Sequence, residues 1–344
     1  MDFTEYIDLA AERLGGRVLA ANDEFFAPKE NLLKASAPVW IEDKYTDVGK
    51  WMDGWETRRR RTPGYDSCLV KLGLPGVVHG FIVDTTHFKG NYPEHCEIET
   101  PSENGDLNPN LIARDAASNL YLGRSTTWCT VLPKSPLAGD TRNSFPVSHA
   151  NRVTYLHFKI YPDGGVARLR VHGEVAPDWP AIERASREID LAAIEHGGWV
   201  VLSSDMFFGS RNNLILPGRS TGMHDGWETR RRRGPGHDWC IVRLGAPGKV
   251  TRVEVDTSHF KGNFPESCSL EVCTAPRDLI NPKDLEALPW KEVLARTKLQ
   301  ANSLHVYKRE LLEAGEATHA RFHIYPDGGV ARLRLFGTLA RGIS

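Results

Sequence analysis

The chain has 344 residues, 40% of them apolar and 25% charged, with a formal net charge of −1. That length holds two ordinary domains, each able to bury its own core, and the composition is that of a soluble globular protein. The charge balance argues against a nucleic-acid partner, which calls for a basic excess, and no apolar stretch reaches the roughly 18–20 residues of a membrane helix.

The first sixteen residues, MDFTEYIDLAAERLGG, place acids early and lack a basic segment followed by an apolar run. They do not read as a secretory signal, so a cytoplasmic location is expected. The six cysteines (Cys68, Cys96, Cys129, Cys240, Cys268 and Cys273) include no C-x-x-C pair. Free thiols in a reducing compartment are expected, with Cys68 and Cys240 acting as small buried hydrophobes.

Going along the chain, the same unit is written twice. DLAAERLGGRVLAANDEFFAPKENLL (8–33) returns as DLAAIEHGGWVVLSSDMFFGSRNNLI (190–215). DGWETRRRR (53–61) returns unchanged at 225–233, and VDTTHFKGNYPEHC (83–96) as VDTSHFKGNFPESC (255–268). IYPDGGVARLRVHG (160–173) returns as IYPDGGVARLRLFG (324–337). Blocks this long, in the same order, indicate two homologous domains rather than a short-period solenoid. The boundary is placed around APDWPAIERASREI (176–189), giving domains 1–176 and 177–344.

Each half is expected to open with a short helix. Ile182, Ala185, Ile189 and Ala193 follow helical spacing ahead of Gly197 and Gly198. Strand signals then dominate. CIVRLG and VTRVEVDT alternate apolar and polar residues, and Pro-Asp-Gly-Gly joins two alternating runs as a turn. Short strands between Gly/Pro turns predict an all-β fold, two tandem homologous β-sandwiches. The W-x-x-x-x-LG, V-x-V-D and RLRLFG order resembles galactose-binding, discoidin-like jelly rolls. Trp128 and Trp290 are read as core residues.

Two motifs carry candidate chemistry. If the arginine run continues the strand of Trp55, side chains alternate: Thr57, Arg59 and Arg61 share the face of Trp55, while Glu56, Arg58 and Arg60 face the other way. Buried guanidinium groups need carboxylates or an anionic ligand. Either Glu56, Asp66 and Asp84 neutralise them, or they grip a small anion. Substrate contacts are therefore sought at Glu56, Arg58 and Arg60, and at Glu228, Arg230 and Arg232. The second motif, DT-x-HFKGN, follows a strand and enters a loop, a common way to mount a site on a rigid scaffold. His87 with Asp84, and His259 with Asp256, are candidates for proton transfer. Lys89 and Asn91, with Lys261 and Asn263, are candidates for orienting a substrate. The competing reading is structural: Asp84 caps the turn, and Gly90-Asn91 supplies left-handed backbone. No H-x-H or H-x-x-x-H spacing signals a metal site or a cofactor, and divalent-metal dependence is left open.

The doubled DGWETRRRR…PG-x-D…LG-x-PG with VDT-x-HFKGN-x-PE resembles the allantoicase family across nearly the whole chain. The resemblance implies hydrolysis of allantoate to ureidoglycolate and urea in allantoin degradation. It also implies a homo-oligomer, with a trimer-based assembly as the form considered. On chemical grounds the arginines would hold the substrate carboxylate. The differences Tyr65/His237 and Ser67/Trp239 make the halves unequal, and whether one or both hold a site stays open. A tandem carbohydrate-binding module is the rival class. Such modules present loop aromatics, whereas these loops carry charge.

Overall fold

The computed structural model describes residues 2–102, 107, 113–114, 120–121 and 127–340. It divides into two compact units, Met1–Ala176 and Pro177–Ser344. In the first, the 19-residue strand Asp66–Asp84 organises everything else. Its early part pairs with Arg17–Ala21 on one side and Arg152–Tyr161 on the other. Its late part pairs with Arg168–Val175 and Arg142–Pro146. The change of partners falls at LGLPG (72–76), where Pro75 has no N–H to give to a ladder and the register skips from Lys71 to Gly76. The one strand thus joins the two layers of a continuous eight-stranded antiparallel sheet folded over on itself. One layer is completed by His95–Pro101 and Trp128–Pro136, the other by Ile7–Asp8 at its edge. Between them lie fully buried Phe81, Ile98, Leu156, Phe158, Leu169 and Val171. This is a jelly-roll sandwich.

The second unit repeats the plan around Asp238–Asp256, with Trp199–Ser203, Ala317–Tyr325, Arg332–Leu339 and Leu304–Tyr307 in corresponding places. Cys68, Cys96, Cys240 and Cys268 are wholly buried in the two cores, and all six cysteines are free thiols.

Three local expectations are corrected. The α-helix that opens the second unit covers only Trp179–Ala185. Ile189 and Asp190 instead pair with Gly337 and Phe336, and the Leu191 N–H bonds to Leu335 O. Backbone groups spent on a sheet edge cannot also close helical turns. Gly197 does take left-handed backbone, but it ends a 3₁₀ turn, Ile194–His196. The first unit opens with two 3₁₀ turns, Phe3–Glu5 and Glu12–Leu14. The tryptophans Trp128 and Trp290 are half-buried, packed on His157 and Arg321 rather than in the core.

Candidate functional site

The repeated blocks meet in space and hold one another. Trp55 is fully buried, and its indole N–H donates to Asp23 O (2.8 Å). The strand it begins is only Trp55–Glu56, paired with Gly165–Val166 of the PDGG turn. The Thr57 N–H then donates to Gly164 O (3.2 Å) and the Arg60 N–H to Asp163 (2.8 Å). From the third block, Phe88 packs on this seam so closely that a Cβ on Gly165 would lie 1.9 Å from its ring. The Gly165 N–H returns a bond to Asn91 O (2.7 Å). Trp227, Thr229, Arg232 and Phe260 make the same contacts with Asp205, Gly328, Asp327 and Gly329 in the second unit.

The arginine run is therefore not a strand with two faces. Arg58, Arg59 and Arg61 are exposed, and only Arg60 turns inward; Arg232 alone does so in the other copy. The inward arginines are neutralised by Asp66 and Asp238, each at 2.6 Å. Arg58 reaches Asp23 (2.6 Å) and lies over Phe25; Arg230 sits 3.7 Å from Asp205 and over Phe207. Of the two neutralisations considered, internal carboxylates account for Arg60 and Arg232, and the acid is Asp66 or Asp238.

A cavity of about 600 Å³ opens in the first unit, walled by Phe26, Trp40, Lys50, Met52, Glu56, His87, Lys89 and Asn91. It unites four of the expected residues: Glu56, His87, Lys89 and Asn91. None of the four arginines lines it, and neither does Asp84. The Asp84 carboxylate accepts the Thr86 N–H (2.9 Å), as Asp256 accepts the Ser258 N–H (2.8 Å), so both cap the turn instead of orienting a histidine. The left-handed residue of this loop is not Gly90 or Asn91 but the histidine, with φ of 73° at His87 and 72° at His259. That backbone is costly for a residue with a Cβ and recurs in both units. The His87 N–H is fixed by Asp140 (2.8 Å), its Nε2 lies 3.4 Å from Pro38 O, and its ring stands 5.8 Å from that of Trp40.

Glu56 is the chemically distinctive member. It is buried, and burial pushes its carboxyl above the ordinary carboxylate range; the Asn91 amide, donating to Oε1 at 2.7 Å, pulls part of the way back. A carboxylic acid that keeps its proton nearer to neutrality is suited to general acid–base work. In the second unit Asn263 also donates to the Glu228 carboxylate. The cavity there, about 660 Å³, is lined by Glu228, Asn263, Arg231, Arg232 and Lys298 and does not include His259, whose Nε2 lies 2.9 Å from Ser220 O. Lys261 is not on its wall either. Among the described residues no three His, Cys, Asp or Glu side chains converge as metal ligands do, and no helix is long and apolar enough to cross a membrane.

One residue that the sequence reading passed over anchors the cavity wall. Arg168, from the VARLR strand, is 1% exposed. It donates to the carbonyls of Ser36, Ala37 and Asp53, and pairs with the Asp53 carboxylate at 2.6 Å. Burial alone would raise the Asp53 carboxyl, but the bonds from Arg168, the Val39 N–H and Lys34 leave it below its usual value. Arg332 and Asp225 form the same pair at 2.9 Å. The recurrence of D-G-W and V-A-R-L-R in both halves was the available signal.

The allantoicase repeat, as a family pattern, matches residues 7–176 and again 189–340. The chain belongs to the allantoicase family. It is 45% identical over 339 residues to the protein named probable allantoicase 1 of Burkholderia mallei, covering 98% of this chain and 96% of that one. To the allantoicase of Dictyostelium discoideum it is 46% identical over 336 residues, covering 96% and 87%. Among solved structures, the crystal structure of allantoicase from Saccharomyces cerevisiae superposes with a TM-score of 0.76 at 33% identity, covering 97% of this chain and 93% of that one.

Proposed function

We propose that the family's reaction takes place in the Glu56 cavity of the first unit. The chain is a hydrolase of the allantoicase type, cleaving a C–N bond of allantoate to release ureidoglycolate and urea in allantoin degradation. Allantoate is a small carboxylate whose central carbon bears two ureido groups, well within a 600 Å³ space. Glu56 carries the reading, because it is the buried carboxyl on the cavity wall that burial holds toward its protonated form. Protonated Glu56 donates to the departing ureido nitrogen as the C–N bond breaks. Its carboxylate then takes a proton from the water whose oxygen bonds to the central carbon. The cycle leaves Glu56 protonated again and adds one water across the cleaved bond.

Asn91 holds the Glu56 carboxyl in register. His87, fixed through its backbone, and Lys89 face the same space and are suited to the ureido oxygens. The carboxylate grip expected of Arg58 and Arg60 passes to lysine, since both guanidinium groups are committed to aspartates. The free thiols support a reducing compartment such as the cytoplasm.

Urea release from allantoate, with ureidoglycolate and allantoin as control substrates, tests the assignment. Glu56→Gln should lower turnover by about 10²–10⁴ with the fold intact, and Glu228→Gln should leave most of it. Near-normal turnover in Glu56→Gln removes the proposal, and the reverse pattern moves the chemistry to the second unit.

A further inference from the structure

The two units differ most in the stretch between their first two shared blocks. Nineteen residues (34–52) fill it in the first unit and nine (216–224) in the second, so the first is ten longer. The longer stretch is folded. Tyr45–Thr46 and Gly49–Lys50 form a small hairpin, and the Trp51 N–H bonds to Lys44 O (3.0 Å). Both ends are fastened to the sandwich. Arg168 holds Ser36 and Ala37, Asp53 accepts the Val39 N–H at 3.1 Å, and Met52 is buried against Phe88 and Ala167. Between those anchors Trp40 and Lys50 are presented to the cavity.

Lys50 is set up unlike an ordinary surface lysine. It is half-buried, and its Nζ lies 4.6 Å from the Trp40 ring centroid and 5.1 Å from that of Tyr45. Two rings hold the ammonium in place without neutralising it. Among the described residues no carboxylate pairs with it. A cation kept ordered and unpaired on a cavity wall is a ready seat for an anion. Lys89 also faces the cavity but is exposed beside Gly90, and its counterpart Lys261 exists in the second unit. The nine-residue stretch LPGRSTGMH has no tryptophan or lysine, and its one arginine, Arg219, does not line the second unit's cavity.

We propose that this hairpin segment is the specificity element of the first unit, with Lys50 seating the substrate carboxylate and Trp40 packing a planar ureido group against the His87 side. The proposal rests on allantoate binding beside Glu56. It also explains how two units with the same Glu–Asn pair can differ in activity.

The test compares Lys50→Met, Lys50→Arg and Trp40→Ala with Glu56→Gln, using allantoate and its neutral carboxamide analogue, with circular dichroism to confirm folding. Lys50→Met should raise KM for allantoate by about 10–100-fold, the loss of one charge-assisted contact, with a smaller change in kcat. Turnover of the carboxamide should hardly change, so the preference for the carboxylate disappears. Lys50→Arg should keep part of that preference, and Trp40→Ala should raise KM for both compounds. If Glu56→Gln is inactive yet Lys50→Met retains its KM, or loses both substrates equally, the specificity role is overturned and the Glu56 assignment stands. If Glu56→Gln stays active, it is the assignment that fails.

Discussion

Arg168→Met isolates the clamp that places the cavity wall. Methionine keeps much of the side chain's bulk and removes every N–H. The carbonyls of Ser36, Ala37 and Asp53 lose a donor, and the Asp53 carboxylate keeps only Lys34 and the Val39 N–H. Removing one member of a buried ion pair costs about 3–5 kcal/mol, chiefly because a charge is left inside without its partner. At about 2–4 °C per kcal/mol for a domain of this size, the first unit's melting transition should fall by about 6–20 °C. Scanning calorimetry of the full chain reads this directly. Because the penalty comes from the stranded carboxylate, Arg168→Met combined with Asp53→Asn should recover part of the loss. A shift below about 1 kcal/mol in the single variant, or a double variant no more stable than the single, would refute the clamp.

Glu56 gives a coupled pair of outcomes. On the proposed mechanism the acid form does the work, so kcat should fall as pH rises through the raised Glu56 value; Asn91→Leu, which removes the bond favouring the carboxylate, should move that limb to higher pH. The folded state also keeps this proton to higher pH than the unfolded chain does. Glu56 therefore costs stability from the ordinary carboxylate range upward, and Glu56→Gln should melt higher than wild type at neutral pH, by thermal scans at pH 4 and pH 8. The thiols give a third check. Only Cys129 is exposed, while burial holds Cys96 and Cys268 up at about 12 and Cys273 at about 11. A thiol-reactive dye should label one cysteine quickly in the native protein and six after denaturation; rapid native labelling of two or more contradicts the burial.

What the sequence revealed followed from how local each signal was. The alternation in CIVRLG and the Pro-Asp-Gly-Gly turns are short-range signals, and the strands and turns stand where they were expected. The arginine run misled because alternation was carried past Glu56, whereas Thr57 and Arg60 are bonded to the PDGG turn more than a hundred residues away. The helix before Gly197 misled in the same manner: the Leu335 carbonyl captures the Leu191 N–H from the far end of the unit. Of the expected residues, Glu56, His87, Lys89 and Asn91 line one cavity. The acid role proposed for Glu56 was not legible, because its burial is created by the folded surroundings. Trp40 and Lys50 were invisible for a different reason. They lie in the stretch the halves do not share, where no repetition marks a residue out.

The interlocking of the repeated blocks changes what the identical letters DGWETRRRR count. Each block is bonded to the others within its unit, so their joint recurrence is accounted for by folding contacts, whether or not both copies work. Repetition here records the assembly instructions of a shell. On the proposed reading, the working cavity is marked elsewhere, by a short stretch present once.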